Sequence, residues 1–274
     1  MATSNASLAH DNASDANFRA WASFISNLFN AGGWVKQSIS GTIDLTTVVA
    51  PNTTNQSKGF EVWKTNDGAT DWYVKIEYGS ASGATIPAIW ITIGVGVDAS
   101  GNITGQASTR TQFSNNSNAG PLNAFGSAST GRITFVIGCH GTTSYGFGVN
   151  IERALLSNGS QDPDLILFAF WGGNTSSSVA LPRTGGVPAF QAWNSAIPLS
   201  TNISYGGNTG VILWFGQKGG LTNPYTNILG FHSGTVTVEN DLTISHNGSS
   251  KAFKSLNVHP RPINAAYNML IRYE

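Results

Sequence analysis

The chain has 274 residues, which is enough for one large β domain or two modest ones. Only 10% of the residues are charged, and 14 basic side chains balance 14 acidic ones, which argues against a nucleic-acid surface or a polybasic membrane anchor, since both need excess cations. Aromatic residues make up 11% of the chain, so a core can be buried, but the nearly uncharged surface is expected to favour self-association.

The sequence also predicts the compartment in which the chain is made. No stretch approaches the roughly 18 unbroken apolar residues of a membrane helix, so no membrane insertion is expected. The start of the chain lacks a basic segment followed by an apolar run, so we expect no signal peptide and folding in the cytoplasm. Cys139 is the only cysteine and lies in an apolar stretch, which favours a buried, unreactive thiol.

The first elements in the chain are an arm and a helix. Residues 1–14 are small and polar and predict a flexible or partner-bound arm. A helix should follow, capped by Ser14 or Asp15 and ended by Gly32 and Gly33. Large apolar residues recur on one helical face, at Phe18, Trp21, Phe24, Ile25 and Leu28. This face could lie across a sheet of the same chain or dock onto a neighbouring subunit.

Strand-like alternation begins after the helix and continues to the C-terminus. Residues 115–130 are nearly all small and polar, which predicts a linker or a long exposed loop. It would separate the helix and a first β domain (15–114) from a second β domain (131–274), unless the two are fused. The predicted strands are 34–39, 42–50, 60–64, 72–78, 88–97, 103–111, 132–137, 145–153, 165–171, 211–217, 221–231, 235–238, 242–245 and 269–273.

Short strands separated by turn residues predict a fold class that is mainly β. We expect an antiparallel β-sandwich-like architecture with one N-terminal amphipathic helix. The run 165–171 is almost continuously apolar, so it should be a strand buried on both faces, and 211–217 is predicted to pair with it.

The residues give little sign of catalysis. Most acids lie in turns, and Glu61, which lies in a strand, is interpreted as a solvated or paired side chain rather than a catalytic one. The five histidines never have metal-ligand spacing, and no phosphate-binding loop is complete, so no catalytic residue, cofactor or metal is predicted. Aromatic side chains in loops could instead bind a sugar face or anchor a partner, at Trp193, Tyr205 and Tyr225.

Four motifs in the first half carry a family resemblance. They are 18–21 (FRAW), 59–67 (GFEVWKTND), 74–79 (VKIEYG) and 89–94 (IWITIG). Together they resemble a group of structural proteins encoded in the late genes of tailed bacteriophages, over roughly residues 15–112. The group offers no catalytic residues to carry over to this chain.

The resemblance implies a non-enzymatic virion component associated with the tail, the baseplate or a fibre. Its partners would be other virion proteins and copies of itself, with no nucleic acid and no membrane insertion, and it would reach the virion after synthesis in the bacterial cytoplasm. A role in host attachment through a bacterial surface glycan is an alternative. Two further alternatives are a head decoration or neck protein and a polysaccharide-degrading enzyme.

Overall fold

The structure is a computed structural model that describes residues 2–108, 110–114, 116–139, 146–155, 160–172 and 175–183, together with the backbone of six later strands. The described part is mainly β, sandwich-like and antiparallel, with one helix near the N-terminus, which confirms the predicted fold class. In chain order the elements are β1 (Ala2–His10), α1 (Asp15–Ala31), β2 (Val35–Lys36), β3 (Ser57–Lys64), β4 (Tyr73–Ser80), β5 (Pro87–Val97), β6 (Ile103–Ala107), β7 (Thr111–Ser114), β8 (Asn118–Ser129), β9 (Arg132–Cys139), β10 (Phe147–Leu155), β11 (Gln161–Gly172), β12 (Thr175–Pro182), β13 (Thr201–Tyr205), β14 (Asn208–Trp214), β15 (Leu229–Ser233), β16 (Asp241–His246), β17 (Ser249–Leu256) and β18 (Tyr267–Arg272).

Helix α1 begins and ends where local chemistry predicts. Ser14 is the N-cap, and its side chain accepts a hydrogen bond from the backbone N–H of Asn17 at 3.1 Å. At the other end the N–H of Gly32 donates to the carbonyl of Leu28, and Gly33 turns the chain with a φ of +82°. Glycine accepts that left-handed conformation without a steric cost, so the helix stops there.

Sheet 1 contains the strands that carry three of the four motifs. Its order is β2-β3-β4-β5-β6, all antiparallel, and β7 also pairs with β5. Strands β3, β4 and β5 correspond to the predicted strands 60–64, 72–78 and 88–97.

The predicted strand 42–50 is wrong. Asp44 accepts hydrogen bonds from the backbone N–H and the hydroxyl of Thr46 and from the hydroxyl of Thr47, at 2.6 to 2.9 Å. These local bonds close a turn, as aspartate side chains commonly do, and only Thr42 makes a bridge, to Phe60.

Sheet 2 corrects two expectations, since both segments predicted as irregular are strands. Its order is β1-β8-β9-β10-β11-β12. The expected arm is β1, which pairs with β8 from Ala2 to His10, with Ala6 and Leu8 packed against the core. The expected linker is β8 itself, which lies between β1 and β9.

The small residues of β8 are there because α1 lies close to it. A Cβ at Gly126 would overlap the side chain of Leu28, and a Cβ at Gly32 would lie 2.5 Å from the Cβ of Ala128. Larger side chains at these positions would push the helix away from the sheet. The composition that resembles a loop is therefore a requirement of close packing.

One core joins the helix and the two sheets. Trp21 of α1 lies 6.0 Å from the ring of Tyr78 in sheet 1 and 6.2 Å from that of Phe147 in sheet 2. Phe113 of β7 also meets Phe168 of β11 edge-on at 5.8 Å. The inner faces of both sheets therefore contribute to a single cluster of buried apolar side chains.

The later strands form sheet 3, described by its backbone alone. Its order is β13-β14-β15-β18-β17-β16, and each pair is antiparallel. The predicted pairing of 211–217 with 165–171 is wrong, because β14 pairs with β13 and β15, whereas β11 pairs with β10 and β12.

Candidate functional site

The predicted sugar-binding aromatics do not form a described site. Trp193 and Tyr225 lie outside the described residues. Tyr205 is the last residue of β13, where its backbone is paired with Asn208. A sugar-binding role for these three residues stays a prediction.

The predicted docking face of α1 lies inside the chain. Phe18, Trp21 and Ile25 are fully buried, and Phe24 and Leu28 are at most 7% exposed. They belong to the core shared by the two sheets. Docking of this face onto a neighbouring subunit is therefore excluded in this fold, and the other expectation, packing within the chain, holds.

One buried polar arrangement in the described part is centred on Glu61. Alternation along β3 places Glu61 on the same face as Trp63, toward α1, and its side chain is fully buried. Its Oε1 accepts hydrogen bonds from Lys36 Nζ at 2.5 Å and Ser26 Oγ at 2.9 Å. Its Oε2 accepts from Tyr78 OH at 2.8 Å and Trp63 Nε1 at 3.2 Å.

These five residues, called here the Glu61 cluster, join four elements. Ser26 comes from α1, Lys36 from β2, Glu61 and Trp63 from β3, and Tyr78 from β4. A carboxylate has about four lone-pair sites, and here all four are used. The charge is compensated by Lys36, whose side chain is 41% exposed and so reaches solvent. The cluster therefore fixes the helix to sheet 1, and it leaves Glu61 no free oxygen lone pair for a reaction.

Burial also sets the acid–base behaviour of Tyr78. Loss of solvent raises the pKa of its hydroxyl well above the usual value, and the neighbouring Glu61 charge and hydrogen bond raise it further. The phenol therefore remains a neutral donor to Oε2 across the physiological range.

A second arrangement, the Arg153 cluster, links the two sheets. The guanidinium of Arg153 on β10 pairs with both oxygens of Asp67, with Nε to Oδ2 at 2.5 Å and Nη2 to Oδ1 at 3.2 Å. It also donates to the carbonyls of Thr70, Asp162 and Pro163. Both charged side chains are 1% exposed, and a Cβ at Gly131 would overlap Asp67, so the pair is enclosed.

A third arrangement covers the outer face of sheet 1. Arg110 pairs with both oxygens of Glu77, at 2.6 and 3.0 Å, and lies over the ring of Trp90 at 4.6 Å. Trp90 Nε1 donates to Gln112 at 3.0 Å, and the residue is only 3% exposed. Because Arg110 lies over the ring and Trp90 is almost fully buried, this ring does not offer an open face on which a sugar could stack.

The segment that follows β1 is also fixed to sheet 1. Asn12 is buried, and its amide donates to the carbonyls of Gly79 and Ala84 at 3.0 and 3.2 Å. Its Oδ1 accepts a bond from Trp21 Nε1 at 3.0 Å. The end of β1 is therefore held in place by three hydrogen bonds of the Asn12 side chain and by one from its backbone N–H to the carbonyl of Thr85.

Sequence reasoning anticipated a paired role for Glu61 but missed Arg153, Asp67 and Asn12. Asp67 ends the motif 59–67, which was its only visible signal. Within the described residues no group of three His, Cys, Asp or Glu side chains could hold a metal ion. The described helix is too short and too polar to cross a membrane.

Comparisons with protein-family models, with curated proteins and with solved structures gave no match.

Proposed function

We propose that the chain is a non-enzymatic structural component of a tailed-phage virion, associated with the tail, the baseplate or a fibre. It would act through permanent contacts with other virion proteins and with copies of itself. One observation carries the proposal: the residues of separate family motifs meet in one buried unit. Glu61 and Trp63 come from 59–67, Tyr78 from 74–79, and Trp21 from 18–21 lies beside Tyr78.

Motif residues that hold a core together support a resemblance based on architecture rather than on chemistry. In an enzyme family the shared motifs would be expected to supply groups with free reactive atoms. Here the best acid of the motifs, Glu61, is enclosed by four donors and fully hydrogen-bonded. No contact in the described part favours the polysaccharide-degrading alternative.

The surface of the described part suits assembly through backbone and polar groups. Permanent interfaces are poor in charge, and only 10% of this chain is charged. The only exposed large apolar side chains in the described part are Val35 and Val49. Contacts made by this part would therefore use polar side chains and strand edges rather than an apolar patch.

The test is the composition of purified particles of the phage that encodes this chain. Quantitative mass spectrometry of extensively washed virions should find the chain in many copies per particle, and gold-labelled antibody should mark the tail end in electron micrographs. A non-virion enzyme from the same lysate is the control and should be lost on washing. Loss of the chain together with that control would overturn the proposal. Labelling of the head alone would replace it with the head decoration alternative.

A further inference from the structure

As the described strands pair, β1 is an edge of sheet 2 with one side unpaired. Among the described strands, β8 is the only partner of β1, and the register is continuous from Ala2 to Ala9. The side chains of Thr3, Asn5 and Ser7 are exposed, while Ala6 and Leu8 pack toward the core. The outward N–H and C=O groups of such a strand are ready to pair with another chain.

This edge lacks the features that normally prevent such pairing. Natural edge strands are kept apart by charged side chains, proline, bulges or short length. Strand β1 has nine residues, none of them charged and none proline, and its only irregularity is at its end, between Ala9 and His10. It is therefore a long, regular and neutral edge.

The edges of sheet 1 do show these protective features. Strand β2 has two residues, one of them Lys36. Strand β6 has five residues, with Gly105 at a φ of +73° and a register shift opposite Gly94 and Gly96. The contrast indicates that β1, unlike the edges of sheet 1, has no built-in protection against pairing.

We propose that β1 is the site at which a second copy of this chain adds its own β1, antiparallel, about a two-fold axis through Asn5. The six-stranded sheets of the two copies would then form one continuous sheet. In this register Asn5 faces Asn5 of the second copy, Thr3 faces Ser7, and Ala2 faces Leu8. Cross-strand hydroxyl pairs, amide pairs and apolar pairs all stabilise a sheet, and no like charges meet.

A second copy fits this edge better than an unrelated strand because the sequence of β1 is complementary to itself. A two-fold contact uses the same residues on both sides, so each must tolerate its own counterpart. Small, uncharged residues on both faces meet that condition. The rigid hold on Asn12 at the end of β1 keeps the strand aligned, so little order must be gained on pairing.

Pairing through β1 would be one of the contacts of the assembly proposed above. It rests on that proposal only because it expects many copies of the chain at high local concentration. One pair of strands of nine residues is smaller than the roughly 800 Å² per partner of a standard stable interface. The isolated dimer should therefore be weak and dependent on concentration.

A cysteine at the two-fold axis tests the register. Opposite residues of antiparallel strands have Cα atoms about 4.5 to 5.5 Å apart, which is within the range of a disulfide. In a Cys139→Ala background, Asn5→Cys should form a covalent dimer under mild oxidation. Asn27→Cys, on the exposed side of α1, is the matched control and should cross-link at least about tenfold more slowly. Equal rates for the two variants would overturn the register.

A charge at the same position tests the association itself. Asn5→Lys places two lysines opposite each other and should weaken dimerisation about tenfold or more in sedimentation velocity over a range of concentrations. Asn27→Lys carries the same change away from the edge and should associate as the unmodified chain does. Because the side chain of Asn5 is exposed, the circular dichroism and thermal unfolding of Asn5→Lys should be unchanged.

Two outcomes overturn the inference: association of Asn5→Lys with unchanged strength, or an unmodified chain that is monomeric at every concentration and also fails to cross-link at position 5. Neither outcome touches the virion role if the chain is present in washed particles. Conversely, a chain that dimerises through β1 but is absent from particles would contradict the virion role and would still support pairing through β1.

Discussion

At the residue scale, Tyr78 shows how burial changes the chemistry of an ordinary side chain. Its hydroxyl donates to Glu61 Oε2 at 2.8 Å in a site without solvent. Ionising it would place a second negative charge beside a carboxylate in a poorly polarisable surrounding. Burial and the Glu61 charge therefore both raise its pKa.

We expect the free energy of unfolding to fall as the pH rises above about 10, the usual pKa of tyrosine. Above that pH the unfolded chain releases the Tyr78 proton while the folded chain keeps it, so the folded state loses stability. Tyr78→Phe should remove this part of the alkaline loss. At neutral pH it should cost about 2 kcal/mol, because the missing hydrogen bond is to a buried carboxylate. Urea unfolding at pH 7 and at about pH 11 measures both effects.

The control for this prediction is Tyr73→Phe, on the same strand but on its other, partly exposed face. It should keep the full alkaline loss. If the phenolate absorbance of the folded protein shows every tyrosine ionising before unfolding begins, the account of Tyr78 is wrong.

At the scale of elements, the end of β4 depends on a residue without a side chain. The carbonyl of Gln56 accepts a hydrogen bond from the N–H of Ser80 at 2.9 Å and lies where a Cβ of residue 79 would be. Asn55 N–H also donates to the carbonyl of Ala81 at 2.6 Å. Gly79 therefore ends the motif 74–79 because the backbone of the segment before β3 lies directly against it.

Gly79→Ala should lower the free energy of unfolding by more than about 2 kcal/mol, since a backbone segment and not a flexible side chain must move. Gly83→Ala is the matched control, because its Cβ would meet only the end of the Ile86 side chain, at 3.3 Å, and should cost less than about 1 kcal/mol. Urea unfolding of both variants gives the comparison. Equal costs would contradict the close approach of the Gln56 backbone to Gly79.

The elements that the sequence predicts well are those whose signals are local. Ser14, Gly32 and one apolar face define α1, and strong alternation defines β4. Strands β1 and β8 were missed because alternating alanine with serine or asparagine gives almost no contrast in hydrophobicity. The reverse error at 42–50 arose because the three bonds made by Asp44 outweigh the strand preference of the threonines and valines around it.

The candidate site was less predictable than the fold. The partners of Glu61 come from positions 26, 36, 63 and 78, and those of Arg153 from positions 67 to 163. Which of these side chains share a face depends on strand register and on the position of α1. Neither can be predicted from the local spacing of residues in the sequence. Strand alternation could suggest that Glu61 points inward, but not that four hydrogen-bond donors surround its carboxylate.

At the scale of the whole molecule, sheet 1 and sheet 2 are joined by a shared core and by the Arg153 cluster. The core alone is tolerant of small shifts, because apolar contacts have no direction. The guanidinium adds direction, since it must meet both oxygens of Asp67 and the carbonyl of Thr70 at once. We infer that the Arg153 guanidinium fixes the position of the loop after β3 against β10, and that the two sheets unfold together.

Arg153→Met should therefore destabilise both sheets by the same amount, about 3 to 5 kcal/mol. The methionine keeps most of the apolar stem but leaves the Asp67 carboxylate, 1% exposed, without its cation. Hydrogen exchange should show the opening free energies of amides in β4 and in β9 falling equally, because the two strands belong to one cooperative unit. The control is Lys64→Met, whose ion pair with Asp71 at 3.1 Å is 29% and 44% exposed and should contribute less than about 1 kcal/mol. Faster exchange in sheet 2 alone would mean that the sheets unfold independently despite their common core, and the directional role given to Arg153 would then be confined to β10.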